Sequence, residues 1–433
     1  MVQRLNSSNA GFEADFQTLL NTPRSTSRDV SDTVRSILAD VLARGDTAVL
    51  ELTTKFDRFD VAAKGLCISA DEIEEACNQV DHETMKALEV AASRIRAFHE
   101  RQLPQDIDYV DDVGVRLGQH WKAVKAAGLY VPGGTASYPS SVLMNAIPAA
   151  VAGVDRLVMT VPTPDGNLNP LVLAAAKLAG VSEIYRIGGA QAVAALAYGT
   201  KTIAPVDKIV GPGNAFVAEA KRQVFGKVGI DSIAGPSEIL VVADNKNDPR
   251  WIAADLLSQA EHDTLAQSIL ITDDTAYAEM VIQAVEDHLA GLERKEIALE
   301  SWTKFGAVIL VDNFAAAIPL IDRIAPEHLE LAVDNPSDMQ HKVRNAGAIF
   351  LGRHTPEAIG DYVAGPNHVL PTDRTARFSG GLGVYDFMKR TTFVGCTATS
   401  LHAIGPAAIQ LAEKEGLGAH ALSIAIRLAD GQK

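Results

Sequence analysis

Cysteine is scarce in this chain, and its three cysteines follow no metal-binding or disulfide pattern. Cys67, Cys77 and Cys396 stand at unrelated spacings, which excludes both a disulfide framework and a thiolate metal site. Basic residues are in deficit, because 39 Lys and Arg face 54 Asp and Glu and leave a net charge of −15. This balance argues against nucleic acid or an anionic membrane as a partner, since both are bound through basic patches.

Long apolar runs are missing as well. The N-terminal residues 1–8 contain no apolar signal core, and no uninterrupted apolar run of about 20 residues occurs. The sequence therefore favours a soluble cytoplasmic protein. With 433 residues, of which 47% are hydrophobic, the chain is too long for one ordinary core and predicts two or more domains.

From about residue 128 onward, short apolar runs alternate with stretches of helical spacing. This alternation occurs in two series and predicts two doubly wound parallel sheets, each an incomplete Rossmann-like α/β unit. We hypothesise that the two units are an internal duplication of one fold. The predicted strands are 128–132, 156–161, 183–187 and 208–210 in the first series and 238–243, 268–272, 306–311, 329–333 and 347–351 in the second.

These patterns divide the chain into four predicted parts. Residues 1–26 form an N-terminal arm, and residues 381–433 form a C-terminal helical arm. Residues 128–235 form one α/β domain. The segment 27–127, which has mostly helical spacing, is expected to pack with residues 236–380 as the other α/β domain.

A helix that starts near Pro249 carries the first candidate site. Gln259 and His262 are three residues apart, so both side chains would project from one face of its last turn. An imidazole nitrogen and an amide oxygen aimed at one point can hold a divalent metal, but two or more further ligands must come from elsewhere. The alternative is that this pair only caps the end of the helix.

An acid and an imidazole stand side by side at Glu327 and His328, immediately before a predicted strand. A carboxylate beside an imidazole suits proton transfer near neutral pH. A salt bridge in the loop without a catalytic role would explain the same two residues.

Two further stretches pair an acid with a histidine. Asp361 and His368 lie in a loop bracketed by glycines and prolines, and both could bind a metal or a substrate. An Asx turn explains Asp361 equally well on local grounds. Glu415 and His420 lie on or beside the last helix, where they could also be ordinary surface residues.

Glycine-rich turns follow three strands of the first series. They are Tyr130-Val-Pro-Gly-Gly134, Ile187-Gly-Gly-Ala-Gln191 and Gly211-Pro-Gly-Asn214. In doubly wound sheets, dinucleotides and phosphates bind at such turns, on the N-termini of the following helices. The full dinucleotide fingerprint is absent, because Phe216 stands where its third glycine would be.

Read together, these stretches resemble the histidinol dehydrogenase family. The resemblance rests on ten ordered blocks from about residue 128 to the C-terminus, and it is weaker before them. The blocks are Gly128–Thr135, Ser140–Asn145, Ile187–Ala192, Val210–Asn214, Ile233–Glu238, Gln259–His262, Glu327–Glu330, Gly365–Pro371, Asp386–Arg390 and Glu415–His420.

The resemblance implies an enzyme that oxidises L-histidinol to L-histidine through L-histidinaldehyde, the last step of histidine biosynthesis, with NAD and one zinc ion per subunit. It implies that Glu327 and His328 are the acid–base pair, and that residues 128–235 contact NAD. It also implies a homodimer whose active site is shared between the chains. The implied NAD contacts are Tyr130, Gln191 and Asn214; the implied zinc ligands are Gln259, His262, Asp361 and His420; and the implied substrate contacts are Ser237, Gln259, His262, His328, Asp361, His368, Glu415 and His420.

Other functions are compatible with parts of this pattern. A related subfamily oxidises sulfonated diols, and Glu415 argues against that substrate. A zinc hydrolase would use the same ligands to activate water, with Glu327 as its base, but it would leave the glycine turns without a function. A metal- or ligand-binding protein without catalytic activity would not need a Glu–His pair beside the metal.

Overall fold

The computed structural model describes residues 2–24, 30–133, 138–233 and 235–430, and these residues form an α/β fold. The strands are β1 (Gln3–Asn6), β2 (Ile107–Val110), β3 (Arg116–Ala123), β4 (Ala126–Tyr130), β5 (Arg156–Thr160), β6 (Glu183–Tyr185), β7 (Lys208–Val210), β8 (Gly229–Ile230), β9 (Glu238–Ala243), β10 (Gln267–Thr272), β11 (Ala307–Leu310), β12 (His328–Ala332), β13 (Ala348–Leu351) and β14 (Met388–Gly395). The α-helices are α1 (Phe12–Asn21), α2 (Ser31–Arg44), α3 (Asp46–Asp57), α4 (Val61–Lys64), α5 (Ala70–Gln79), α6 (His82–Glu100), α7 (Pro139–Ala152), α8 (Pro170–Ala179), α9 (Gly189–Tyr198), α10 (Ala215–Val224), α11 (Pro249–Ala260), α12 (Thr275–Leu289), α13 (Lys295–Phe305), α14 (Phe314–Ile324), α15 (Pro336–Gln340), α16 (Glu357–Tyr362), α17 (Ala398–Lys414) and α18 (Gly418–Asp430).

Two parallel sheets form the centre of the fold, as the alternating pattern predicts. The first has five strands in the order β6-β5-β4-β7-β8, and the second has six in the order β1-β11-β10-β9-β12-β13. Without β1, the second sheet repeats the strand order of the first. The chain therefore builds one doubly wound topology twice, as the hypothesis of an internal duplication requires.

The helices from α2 to α6 pack on the first sheet, whereas we expected residues 27–127 to pack with residues 236–380. Helices α2 and α3 contact α9, and helices α5 and α6 contact α7 and α8. Val34 and Ile95, for example, share their cores with residues of the five-stranded sheet. The expectation was wrong because helical spacing identifies the apolar face of a helix but not the sheet that covers it. Residues 27–29 lie outside the described part.

The N-terminal arm belongs to the second sheet. Strand β1 pairs in parallel with β11, and α1 buries Phe16 and Leu19 in the core of the same sheet. Residues 1, 25 and 26 of this predicted arm lie outside the described residues. The arm is therefore an edge of the six-stranded sheet rather than a free extension.

The C-terminal arm is a strand followed by two helices, although the sequence predicted a helical arm. Strand β14 pairs with β3 in the antiparallel sheet β14-β3-β2, and α17 and α18 pack against each other. Leu411 and Leu422 on these helices are 65% and 60% exposed, so the pair carries uncovered apolar side chains. Residues 431–433 of this arm lie outside the described part.

No helix among the described residues combines the length and the apolar character needed to cross a bilayer.

Candidate active site

The strand order of the five-stranded sheet reverses between β4 and β7. From β4 the chain continues to β5 and β6 on one side of the sheet and later to β7 and β8 on the other. Doubly wound sheets bind their ligands outside the carboxyl ends of the strands at such a reversal. Tyr130 ends β4 and Gly211 to Asn214 follow β7, so two of the three glycine turns lie at this point of the sheet.

The glycine turns meet closely at this point. A Cβ atom on Gly211, whose φ is +112°, would lie 2.1 Å from the carbonyl oxygen of Tyr130. The amide of Gly189 donates to the Tyr130 hydroxyl at 3.0 Å, and Gln191 is buried in the first turn of α9. Only glycine fits where backbone approaches this closely at positive φ. Gly134, which ends the first predicted turn, lies outside the described residues.

Asn214 begins helix α10 as its N-cap, as the Gly-Pro-Gly-Asn turn predicts. Its side-chain oxygen accepts hydrogen bonds from the amides of Phe216 at 3.1 Å and Val217 at 3.2 Å. The turn before it is held by a buried ion pair between Lys221 and Asp231. Lys221 donates to the Gly211 carbonyl at 2.9 Å, and Asp231 accepts from the Gly211 amide at 2.8 Å.

The acid–base pair lies at the amino edge of the six-stranded sheet. Glu327 immediately precedes β12 and His328 begins it, and β12 lies beside β9, which Glu238 begins. The Glu238 amide donates to Glu327 Oε2 at 2.9 Å, and His328 Nδ1 lies 2.9 Å from the Glu238 carbonyl oxygen. One residue of the neighbouring strand therefore holds both members of the pair through its backbone.

The surroundings of His328 favour a neutral imidazole with a free nitrogen. A carbonyl oxygen can only accept, so Nδ1 carries the proton that is donated to Glu238, and Nε2 has a free lone pair. Nε2 has no hydrogen-bond partner among the described residues. Burial lowers the pKa of His328 to about 4, so the ring is neutral at pH 7. A buried neutral imidazole of this kind can accept a proton from a substrate.

Burial acts in the opposite direction on Glu327. It raises the pKa of the Glu327 carboxyl well above its ordinary value, and the neighbouring carboxylate of Glu238 raises this pKa further. The Glu327 side chain is 8% exposed and lies 3.6 Å from His328 Nδ1. A carboxyl group with a raised pKa can take up and release a proton near neutral pH.

Ligand-capable atoms converge beside His328. One atom each from His328, Glu357 and Asp361 lies within 4.8 Å of the others, and His328 Nε2 is 3.5 Å from Glu357 Oε1. Helix α16, which carries Glu357 and Asp361, packs against α11, which carries Gln259. This group shares only Asp361 with the implied zinc ligands.

The implied ligands Gln259 and His262 are placed differently from each other. Gln259 is buried, and its Oε1 has no hydrogen-bond partner among the described residues. His262 lies beyond the end of α11 and is exposed, and it is close enough to Asp361 to act on it electrostatically. The amide oxygen of Gln259, the imidazole of His262 and the carboxylate of Asp361 are N and O donors of the kind that bind zinc, and the unpartnered buried amide oxygen fits such a role.

Three further carboxyl groups with shifted pKa values were not identified from the sequence, namely the partly buried Asp255 and the buried Glu330 and Glu357. Burial raises the pKa of Asp255 to about 6, raises that of Glu357 to about 9 and places that of Glu330 well above its ordinary value. For two of them, the spacing along the sequence could have indicated a position beside the site. Asp255 precedes Gln259 by four residues, and Glu357 precedes Asp361 by four, so each pair shares a helix face.

The remaining substrate candidates of the second sheet lie at the border between the two halves. Ser237 directly precedes Glu238 and is partly buried. His368 Nδ1 lies 3.5 Å from Asp361 Oδ1, and His368 Nε2 lies 3.4 Å from Ser141 Oγ of helix α7, which packs on the first sheet. Burial acts to raise the pKa of Asp361, but the contact with His368 outweighs it and lowers this pKa. The loop around His368 thus connects the two sheets beside the candidate metal site.

Glu415 and His420 are not brought to this site within one chain. Glu415 follows the end of α17, and His420 lies in α18. Both side chains are exposed, and neither forms a hydrogen bond or an ion pair with another described residue through its side chain. Asp361 and His262 therefore lie within electrostatic reach of His328, whereas Glu415 and His420 have no side-chain contact with these described residues.

Comparisons with known proteins agree on one family. A family model for histidinol dehydrogenase matches residues 20–428. The chain is 66% identical to the histidinol dehydrogenase of Rhodospirillum rubrum and 61% identical to that of Rhizobium meliloti, with 100% of each chain covered in both comparisons. Its structure is similar to the crystal structure of histidinol dehydrogenase from Elizabethkingia anophelis, with a TM-score of 0.95 and 36% identity over 100% of this chain and 99% of that one.

Proposed function

The chain belongs to the histidinol dehydrogenase family, and we propose that it oxidises L-histidinol to L-histidine with NAD and a zinc ion. The main support for this proposal is that the imidazole of His328 is buried and neutral. Its Nε2 atom has no hydrogen-bond partner among the described residues and lies beside groups that can bind a metal. This arrangement combines a base for the hydroxyl proton of an alcohol with a site that can hold the substrate in place.

His328 and Glu327 have separate tasks in the proposed reaction. His328 accepts the hydroxyl proton at Nε2 while the substrate carbon loses a hydride, which gives the aldehyde. Glu327 accepts a proton from the water molecule that attacks the aldehyde. His328 then accepts the hydroxyl proton of the hydrated aldehyde during the second oxidation. The peptide group of Glu238 keeps both side chains in place throughout.

We propose that Gln259, His262 and Asp361 hold the zinc ion, together with His420 from a second copy of the chain. Zinc bound there would fix the amine and imidazole nitrogens of the substrate, which are ligands that zinc favours. Substrate contacts are then expected from the four zinc ligands and from Ser237, His328, His368 and Glu415. The unpartnered oxygen of Gln259 supports this assignment.

For NAD, we propose a site at the carboxyl ends of β4 and β7, with contacts from Tyr130, Gln191 and Asn214. NAD bound there would accept the hydride in each oxidation. The support is the position of these residues at glycine turns where the strand order of the first sheet reverses. The first sheet with its helices would then be the NAD-contacting domain, and the second sheet would carry most of the metal and catalytic residues.

We further propose a homodimer with shared active sites. Glu415 and His420 are exposed on a helical pair whose apolar side chains, such as Leu411 and Leu422, are uncovered. A second copy that covers these side chains could receive Glu415 and His420 in its own site.

The test is to add histidinol and NAD to the purified protein and to follow the absorbance of NADH. The proposal expects two NADH per histidinol, with loss of the activity after a chelator removes zinc and recovery when zinc is returned. A zinc hydrolase or a metal-binding protein without catalytic activity would form no NADH. One NADH per histidinol would contradict the proposed second oxidation.

A further inference from the structure

We propose that Arg24, in the N-terminal arm, is a positioning residue for the Glu327–His328 pair and that it acts through Glu238. The inference rests on the proposed function, because that function assigns proton transfer to Glu327 and His328. Arg24 lies 214 residues before Glu238 in the sequence and outside all of the family blocks named above.

Glu238 forms hydrogen bonds through its backbone with the side chains of both members of the pair. Its amide donates to Glu327 Oε2 at 2.9 Å, and its carbonyl accepts from His328 Nδ1 at 2.9 Å. The two contacts use the amide and the carbonyl group of one residue. A rotation or shift of that residue would therefore move the carboxyl group and the imidazole together.

The side chain of Glu238 is itself held at two points. It forms a buried ion pair with Arg24, whose side chain is 8% exposed, while that of Glu238 is 5% exposed. The amide of Asp373 also donates to Glu238 Oε1, at 3.1 Å. Arg24 is thus the cation paired with a carboxylate that would otherwise lie buried without a counter-charge.

Burial raises the pKa of Glu238, and the charge of Arg24 acts against that rise. The carboxylate of Glu238 in turn raises the pKa of Glu327. Loss of Arg24 would therefore free the residue that orients the pair and raise the pKa of Glu238 further, which changes the charge beside Glu327. Both effects reach the reacting groups without any contact between Arg24 and the substrate.

The other explanation is that Arg24 only fastens the N-terminal arm to the second sheet. That role would affect the melting temperature but not the turnover of the molecules that remain folded. Arg4 provides a matched control. It lies in the same N-terminal arm as Arg24 and forms an ion pair with Glu279 of α12, but this ion pair is exposed.

The experiment compares Arg24→Met, Arg24→Lys and the double variant Arg24→Met/Glu238→Gln with Arg4→Met. The double variant removes both buried charges, so we expect it to be destabilised less than Arg24→Met alone, which leaves one charge unpaired. In each folded variant, kcat is measured with histidinol and with histidinaldehyde, together with KM for NAD and the bound zinc per chain.

We expect the double variant to lose about tenfold to a hundredfold in kcat, the scale of a displacement of about 1 Å in a catalytic group. The loss should be equal for the alcohol and the aldehyde, because Glu238 holds both Glu327 and His328. KM for NAD and bound zinc should stay within about twofold of wild type, as should every parameter of Arg4→Met. Arg24→Lys, which keeps the charge but loses the planar guanidinium, should fall between wild type and the double variant.

A folded double variant with kcat within about twofold of wild type would overturn the proposal. So would a loss of kcat that Arg4→Met shares. If the double variant fails to fold, Arg24→Lys decides, since wild-type turnover in that variant would exclude a positioning role that needs the guanidinium. Absence of NADH formation in the wild-type protein itself would instead contradict the proposed function.

Discussion

Two inactive variants, mixed in one preparation, test whether each active site is built from two chains. His262→Ala removes a proposed zinc ligand that lies near Asp361, whereas His420→Ala removes one that is exposed on α18 and apart from that cluster. Each variant alone should lose zinc and activity, because three protein ligands make a much poorer site than four. The decisive sample is prepared by unfolding the two variants together and refolding them as a mixture, so that mixed dimers can form.

The expected recovery follows from where these residues lie. If His420 reaches a second copy, one site of a mixed dimer collects both substitutions and the other collects neither. Random pairing makes about half of the dimers mixed, so about a quarter of all sites should regain wild-type composition. NADH formation from histidinol and zinc bound per chain should both recover to about a quarter of wild type.

A matched control uses two positions that lie in the same cluster. His262→Ala mixed with His328→Asn should not recover, because both residues serve the site of their own chain and every site keeps one defect. If the His262→Ala and His420→Ala mixture also stays inactive while wild-type protein refolds under the same conditions, His420 serves its own chain. The shared site would then be refuted.

Further predictions concern single residues. His328→Asn should keep its zinc but lose about 10²–10⁴-fold in kcat, because it removes the general base; loss of zinc or unchanged turnover would contradict that role. Glu327→Gln should slow the oxidation of the aldehyde more than that of the alcohol, because its task is hydration; an equal loss with both substrates would count against this division. Lys221→Met should raise KM for NAD by about tenfold, or about 1.4 kcal/mol, without changing bound zinc, because Lys221 holds the carbonyl of Gly211. An unchanged KM for NAD in the folded variant would show that this contact does not shape the cofactor turn.

The sheets could be predicted from local patterns, but the packing around them could not. Strand β9 spans Glu238–Ala243 and strand β7 spans Lys208–Val210, both at the predicted positions, because buried parallel strands are nearly continuous apolar runs. Helix α2 has an equally clear apolar face, but the same face would fit either sheet. The choice between the two sheets depends on contacts between distant parts of the chain.

Similar limits apply to the site. Gln259 and His262 were identified from their spacing, yet α11 ends at Ala260, so His262 lies beyond the last helical turn. The sequence reading missed Glu357, although its spacing to Asp361 was visible, because surface carboxylates with that spacing are common. Arg24 carried no local signal at all, since its role depends on a partner 214 residues away.

The pairing of β1 with β11 has a consequence for protein synthesis. Gln3 pairs with Ala307, so β1 has no partner in the sheet until some 300 further residues have been made. At about 5–20 residues per second, this delay is roughly 15–60 s. The five-stranded sheet, whose strands lie between residues 126 and 230, can form during that time. Strand β1 must therefore wait for β11 while the five-stranded sheet folds, so the second sheet is completed after the first.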